Sequence, residues 1–173
     1  SYCNSNTCRA ENIMAIDPEA EERLTSLKKK LVAGKYLVPG DSGALISQRL
    51  AGFLNITVGD TLVIIGQGYH GSGAAGVFAV RGIVRFPSPD LDSRMVYLGL
   101  DAAQTLFSAE NLLTSIAFNV GEPTQYGHSA GVIRQTVDRE RYEVMTWEEM
   151  MPDVVQQIRA DSASQRARSS PRA

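Results

Sequence analysis

Histidine and cysteine are scarce in this chain of 173 residues, two of each. A structural metal site needs about four such ligands, so Cys3, Cys8, His70 and His128 do not make one, and no metal or other cofactor is expected. No apolar run approaches the roughly 20 residues needed to cross a bilayer. The opening SYCNSNTCRAEN has neither the basic start nor the apolar stretch of a signal peptide, so the piece reads as soluble. Basic residues are not in excess either: 17 Lys and Arg stand against 19 Asp and Glu, for a net charge of −2. That balance excludes nucleic-acid binding through a broadly basic surface, which requires clustered cations to neutralise phosphates. What is present, 43% hydrophobic and 21% charged residues, fits one globular domain or two small lobes sharing a core.

Cys3 and Cys8 are separated by four residues, enough to close a small loop, and the sequence leaves open whether they form a disulfide.

The first strong element opens at Asp17-Pro18, an N-cap followed by proline where its missing N–H is not needed. Glu19, Glu21 and Glu22 early and Lys28, Lys29 and Lys30 late oppose the helix dipole, and Gly34 is the expected stop. Ala20, Leu24, Leu27 and Leu31 form one apolar stripe along this predicted helix. Ala44-Leu45-Ile46 is a short apolar run, and Ser47 opens a short helix through Leu50, Ala51 and Leu54. Thr61 to Ile65 and Val77 to Phe86 are predicted strands flanking the glycine-rich GQGYHGSGAAG, which together make a long hairpin. Met95 to Leu100 reads as extended, and Asp101 as the cap of a helix through Phe107. Thr114 to Val120 alternates like a half-buried strand, and a helix runs through Val132, Ile133 and Val137. Tyr142 to Met145 is a predicted strand, and Thr146-Trp147-Glu148-Glu149 is a capping box opening the last helix, with Pro152 bending its first turns. The ending SASQRARSSPRA carries three arginines and no large apolar residue, so residues 162–173 are expected to be disordered.

Three groups of residues invite a chemical reading. Gly66-Gln67-Gly68-Tyr69-His70-Gly71 matches the dinucleotide fingerprint in letters, but that site requires the glycine turn to open a helix, and here the loop leads into another strand. Gly127-His128-Ser129-Ala130-Gly131 matches the nucleophile elbow of serine hydrolases. An elbow needs a strand-to-helix turn with an acid and a histidine later in the chain; no histidine follows Ser129, which leaves His70 to come round in space, and a Ser-capped helix start is the better reading. Asp90/Asp92 and Glu148/Glu149 read as solvated or capping acids rather than a catalytic pair. Tyr69 and His70, a polar aromatic pair at a loop tip, suit a protein contact, with a solvent-exposed flexible tip as the alternative.

Several phrases in order resemble one family. ALISQRLAGFLNITVGDTLVII (44–65), VFAVRGIVRF (77–86), VYLGLDAAQTLF (97–107), TSIAFNV (114–120) and YEVMTWEEMMPDVVQQI (142–158), with IDPEAEERLTSLKKKLVAGKYL (16–37) before them, are similar to the extracytoplasmic domain of ABC-transporter permeases of the MacB and LolC/LolE type, the FtsX-like superfamily. The resemblance spans about residues 12–161 and implies an α+β, two-lobed periplasmic domain. Residues 1–33 and 111–161 would form a porter-like α/β lobe, incomplete at its N-terminus, and residues 34–110 an inserted β-rich lobe.

The function implied is non-catalytic: coupling ATP-driven motion to export of a small molecule or release of a lipoprotein. The resemblance implies a cytoplasmic ABC ATPase partner reached through transmembrane helices outside this sequence, a periplasmic adaptor or lipoprotein, a homo- or heterodimeric transporter, and residence in the inner membrane with this domain in the periplasm. The RARSSPRA ending departs from the apolar span expected there, which fits a domain cut to a soluble piece. A stand-alone secreted binding module and a serine hydrolase using Ser129 are the other readings.

Overall fold

Strands buried on both faces have no polar side to show, and two runs of this kind, Ala44–Ser47 and Met95–Gly99, are adjacent in the sheet. The computed structural model describes residues 2–4, 7–9, 12–122 and 125–150, the first two segments by their backbone alone. The predicted bend at Pro152, the rest of the last helix and the 162–173 tail lie outside the described residues.

The fold is α+β. Its strands are β1 (Tyr2–Asn4), β2 (Thr7–Arg9), β3 (Asn12–Ile16), β4 (Leu31–Gly34), β5 (Ala44–Ser47), β6 (Thr61–Gln67), β7 (Gly73–Val84) and β8 (Met95–Gly99). Its helices are α1 (Pro18–Thr25), α2 (Gln48–Leu54), α3 (Pro89–Asp92), α4 (Leu100–Phe107), α5 (Tyr126–Thr136) and α6 (Trp147–Met150). The strands make one mixed sheet in the order β2-β1-β6-β7-β5-β8-β3, with β4 also on β7. β3 is parallel to β8 and β5 to β7, while β6 and β4 run antiparallel to β7. The long β7 joins the sheet together: β6 pairs with its first part, Gly73 to Ala79, and β4 and β5 with its last, up to Val84.

Period-two alternation sends successive side chains of β5 and β8 to opposite faces. Ala44, Ile46, Val96 and Leu98 pack with Leu50, Ala51 and Leu54 of α2 and Ala103 of α4. On the other face Leu45, Met95 and Tyr97 pack with Leu27, Leu37 and Val84. Each fully buried leucine in such a cluster is worth about 2–5 kcal/mol against alanine. Among the described residues, two polar side chains are buried: Ser47, whose Oγ accepts from the Met95 N–H at 3.2 Å, and Asp92, whose Oδ1 accepts from the Phe86 N–H at 2.9 Å.

The structure departs from the sequence reading in several places. The Asp17 cap holds, its carboxylate accepting from the Glu19 and Ala20 N–H groups, but α1 ends at Thr25. Ser26 takes a left-handed conformation, Leu27–Lys30 form a 3-10 turn, and Leu31–Gly34 become a strand. The reason is tertiary: β7 offers free ladder groups, and Leu27 is more deeply buried (1% exposed) beside the sheet than a continued surface helix would allow, while Ala20 of the expected stripe is exposed. The α4 helix is capped by Gly99, with Asp101 in its first turn rather than at the cap. Neither Thr114–Val120 nor Tyr142–Met145 forms a strand, because among the described residues neither finds a ladder partner; residues 114–119 are all exposed.

The chain divides into two compact units, 1–117 and 118–173. β3 and β4 join the sheet of the first unit, through β3 on β8 and β4 on β7. In the second unit, Arg134 is the organiser: its Nε and Nη2 donate to the Val144 carbonyl at 3.0 and 2.8 Å, and Nη2 also to Glu149 at 2.7 Å. The capping box forms as expected, with the Thr146 N–H donating to Glu149 Oε2 at 2.6 Å and the Glu149 N–H to Thr146 Oγ1 at 3.4 Å. Tyr126 and Trp147 meet edge to face, ring centroids 6.2 Å apart.

Candidate functional site

The β6–β7 hairpin is the most prominent candidate. Its register is regular from Thr61↔Ala79 to Gln67↔Gly73, so every second residue of each strand faces the same way. Leu62, Ile64, Phe78 and Val80 point into the core. The opposite face carries Val63, Ile65, Ala75 and Val77, of which Ile65 is 49% and Val77 69% exposed. In sequence Thr61 to Ile65 ends in four consecutive apolar residues, with no alternation to announce that half of the strand faces outward.

Between the strands, Gly68 donates to the Ser72 carbonyl at 2.6 Å, and the N–H of Ser72 returns to the Tyr69 carbonyl at 3.3 Å, with Ser72 Oγ on the same carbonyl at 3.0 Å. This closes a 3-10 turn, Tyr69–Gly71, in which His70 takes a left-handed conformation with φ of 55°. The geometry brings the two rings together, centroids 4.0 Å apart and planes tilted by 55°, with both residues exposed. The tip therefore has a defined conformation, closed by its own hydrogen bonds. Underneath, the hairpin lies against the end of α4: a Cβ added to Gly68 would lie 2.7 Å from the Phe107 carbonyl oxygen, so glycine is required for this approach.

The turn that carries the dinucleotide-like letters opens no α-helix; it runs from Gly68 straight into β7. No ring of helix N–H groups is available to a pyrophosphate there. Ser129 lies inside α5, which starts at Tyr126 with Gln125 as its cap. It is therefore neither a helix cap, as the sequence suggested, nor at the strand-to-helix turn of a nucleophile elbow. Three of the four paired acids are engaged within the fold. Asp92 is buried and holds the Phe86 N–H, Asp90 pairs with Arg94, and Glu149 serves the capping box and Arg134. Hydrogen bonds from the Thr146 N–H and hydroxyl, with Arg134 beside them, hold the Glu149 carboxyl below its ordinary range.

Among the described residues no group of three or more His, Cys, Asp and Glu is placed to hold a metal ion, and no helix is long and apolar enough to cross a membrane. Cys3 and Cys8 are backbone partners across β1 and β2. No protein-family model matches the sequence, and no curated protein matches it significantly.

Proposed function

We propose that the chain is a non-catalytic recognition and coupling domain of an ABC-transporter permease, extracytoplasmic in location, through which ATP-driven motion reaches an exported substrate or a lipoprotein. The observation that carries this reading is the β6–β7 hairpin: a long two-stranded arm, continuous with the central sheet, that presents the Tyr69–His70 pair and an apolar outward face. Such a combination of exposed aromatic and aliphatic groups on a rigid support is what protein recognition uses. The ordered similarity of residues 12–161 to permease domains of the MacB and LolC/LolE type supplies the class. In this reading the sheet unit contains the inserted β-rich lobe, and residues 118–150 belong to the porter-like lobe.

The ATPase partner, an adaptor or lipoprotein client, and a dimeric transporter follow from the class. The test is the complete reading frame, which should encode apolar segments of about 20 residues on both sides of this piece; their absence sinks the proposal. In the assembled transporter, the double substitution Tyr69→Ala and His70→Ala should leave ATP hydrolysis intact and reduce export. Unchanged export would remove the hairpin from the mechanism.

A further inference from the structure

A cleft on the first unit, separate from the hairpin, is lined by charged groups that the fold engages only in part. It measures about 440 Å³ and lies between the start of α2, the end of β7 and α3. Gln48 and Arg49 enter from α2 and Arg85 from the segment after β7, while Phe86, Pro87 and Pro89 form apolar walls. Asp92 contributes a carboxylate at the base, 4% exposed.

The charges do not cancel. Asp92 Oδ1 is occupied by the Phe86 N–H at 2.9 Å, and Oδ2 lies 3.9 Å from Arg49 Nε, an ion pair beyond hydrogen-bonding distance. The Arg49 side chain is 62% exposed, so its remaining N–H groups are open to a ligand. Among the described residues, no hydrogen bond or ion pair engages the Arg85 guanidinium. A third cation stands close by: the Lys30 ammonium lies 5.7 Å from the centre of the Phe86 ring. Two guanidiniums with free donors beside proline and phenylalanine walls match a ligand that is anionic at one end and apolar at the other. Guanidinium groups bind the planar or tetrahedral oxygens of carboxylate and phosphate through paired N–H bonds.

We propose that this cleft binds an amphiphilic oxyanion, a phosphate or carboxylate carried on an apolar body, with Arg49 and Arg85 on the oxygens and Phe86, Pro87 and Pro89 against the apolar part. The assignment stands on the cleft alone and does not depend on the permease reading.

The test is a titration of the intact protein at constant ionic strength, following the arginine Nε–H resonances by NMR. The probes are phenyl phosphate, inorganic phosphate, benzoate and acetate. Saturable shifts at Arg49 and Arg85 are expected, with dissociation constants in the range of about 1 mM or below for the phenyl compounds. Each phenyl compound should bind about tenfold more tightly than its parent ion, the gain from burying about 50–60 Å² of ring surface.

Arg85→Gln should weaken binding by about 10–100-fold, the loss expected for charge-assisted hydrogen bonds, with Arg85→Lys recovering part of it. Retained protection of the Phe86 amide from hydrogen exchange in both variants would show that the Asp92 contact, and so the cleft, is intact. Binding by the phosphates alone or the carboxylates alone supports the oxyanion site and identifies its source. Shifts that stay linear to about 100 mM, that appear equally at Arg139 and Arg141, or that survive both Arg49→Gln and Arg85→Gln overturn the proposal. Equal affinity of phenyl compounds and parent ions refutes the role of the apolar walls.

Discussion

Gly34 closes β4 where it pairs with Gly82 of β7, and its φ is 80°. Alanine at this position meets two obstacles. The left-handed backbone costs a residue with a Cβ about 1–2 kcal/mol. The added Cβ would also lie 2.8 Å from Gly82 Cα and 2.9 Å from Val58 Cγ2, and closer still to the Arg81 carbonyl oxygen. That oxygen is held by the Lys35 N–H at 2.8 Å, so it cannot swing aside without losing a hydrogen bond. Moving the two strands apart costs about 1–3 kcal/mol more, the usual range for overpacking, and the sum for Gly34→Ala is a loss of about 2–5 kcal/mol.

Gly52→Ala is the control of opposite sign. Gly52 lies inside α2 with nothing within 4 Å of an added Cβ, so alanine there should stabilise by about 0.5–1 kcal/mol. Urea unfolding followed by far-ultraviolet circular dichroism reads both. With a mid-range slope of about 2 kcal/mol per molar urea, Gly34→Ala should lower the midpoint by about 1–2.5 M and Gly52→Ala raise it by about 0.25–0.5 M, without a change in slope. A Gly34→Ala protein with an unchanged midpoint would show that β4 does not sit against β7 as described.

Burial pushes the Tyr97 hydroxyl up to about 12, and burial with the nearby Glu22 and Glu21 does the same for Tyr36. Since an unfolded tyrosine ionises near 10, stability from these groups is complete below about pH 10 and is lost as pH rises through about 12. Urea midpoints across that window should fall, and less steeply in Tyr97→Phe; a flat profile in the parent protein would contradict the burial. The Glu149 carboxyl is held low in the folded state, so its contribution to the α6 cap is present at neutral pH and is lost only as pH falls through that depressed value. Carboxyl NMR should place its midpoint below that of an ordinary glutamate, and Thr146→Ala should raise it. Arg134→Ala removes the donors that hold Val144 and Glu149, and amide exchange at Thr146 and Glu149 should accelerate by about tenfold or more while β8 is unaffected. A fluorophosphonate probe should leave Ser129 unlabelled; covalent labelling at that residue would revive the hydrolase reading.

Local signals carried far in this protein because they act within a few residues. Asp17-Pro18 opens α1, and Thr146 and Glu149 form their capping box, each through bonds that span at most three residues or through a proline already at the helical φ. The hairpin around GQGYHGSGAAG followed from two β-branched runs and the glycines between them. The Tyr69–His70 pair was legible as a tip but its ring contact was not, because the 4.0 Å approach depends on the left-handed turn at His70.

The remainder was decided by partners distant in the chain. Whether Leu27–Gly34 prolonged a helix or became a turn and strand rested on the open edge of β7, some fifty residues away. The alternation of Thr114–Val120 announces strand competence, but a strand exists only where a second chain segment supplies the ladder, and among the described residues none does. The cleft of Arg49, Arg85 and Asp92 could not be read along the sequence at all, since its charges come from three separate elements that only the packed sheet brings together. Periodicity and capping chemistry are thus properties of short stretches, whereas strand pairing, burial and the meeting of charged groups depend on where the rest of the chain comes to lie.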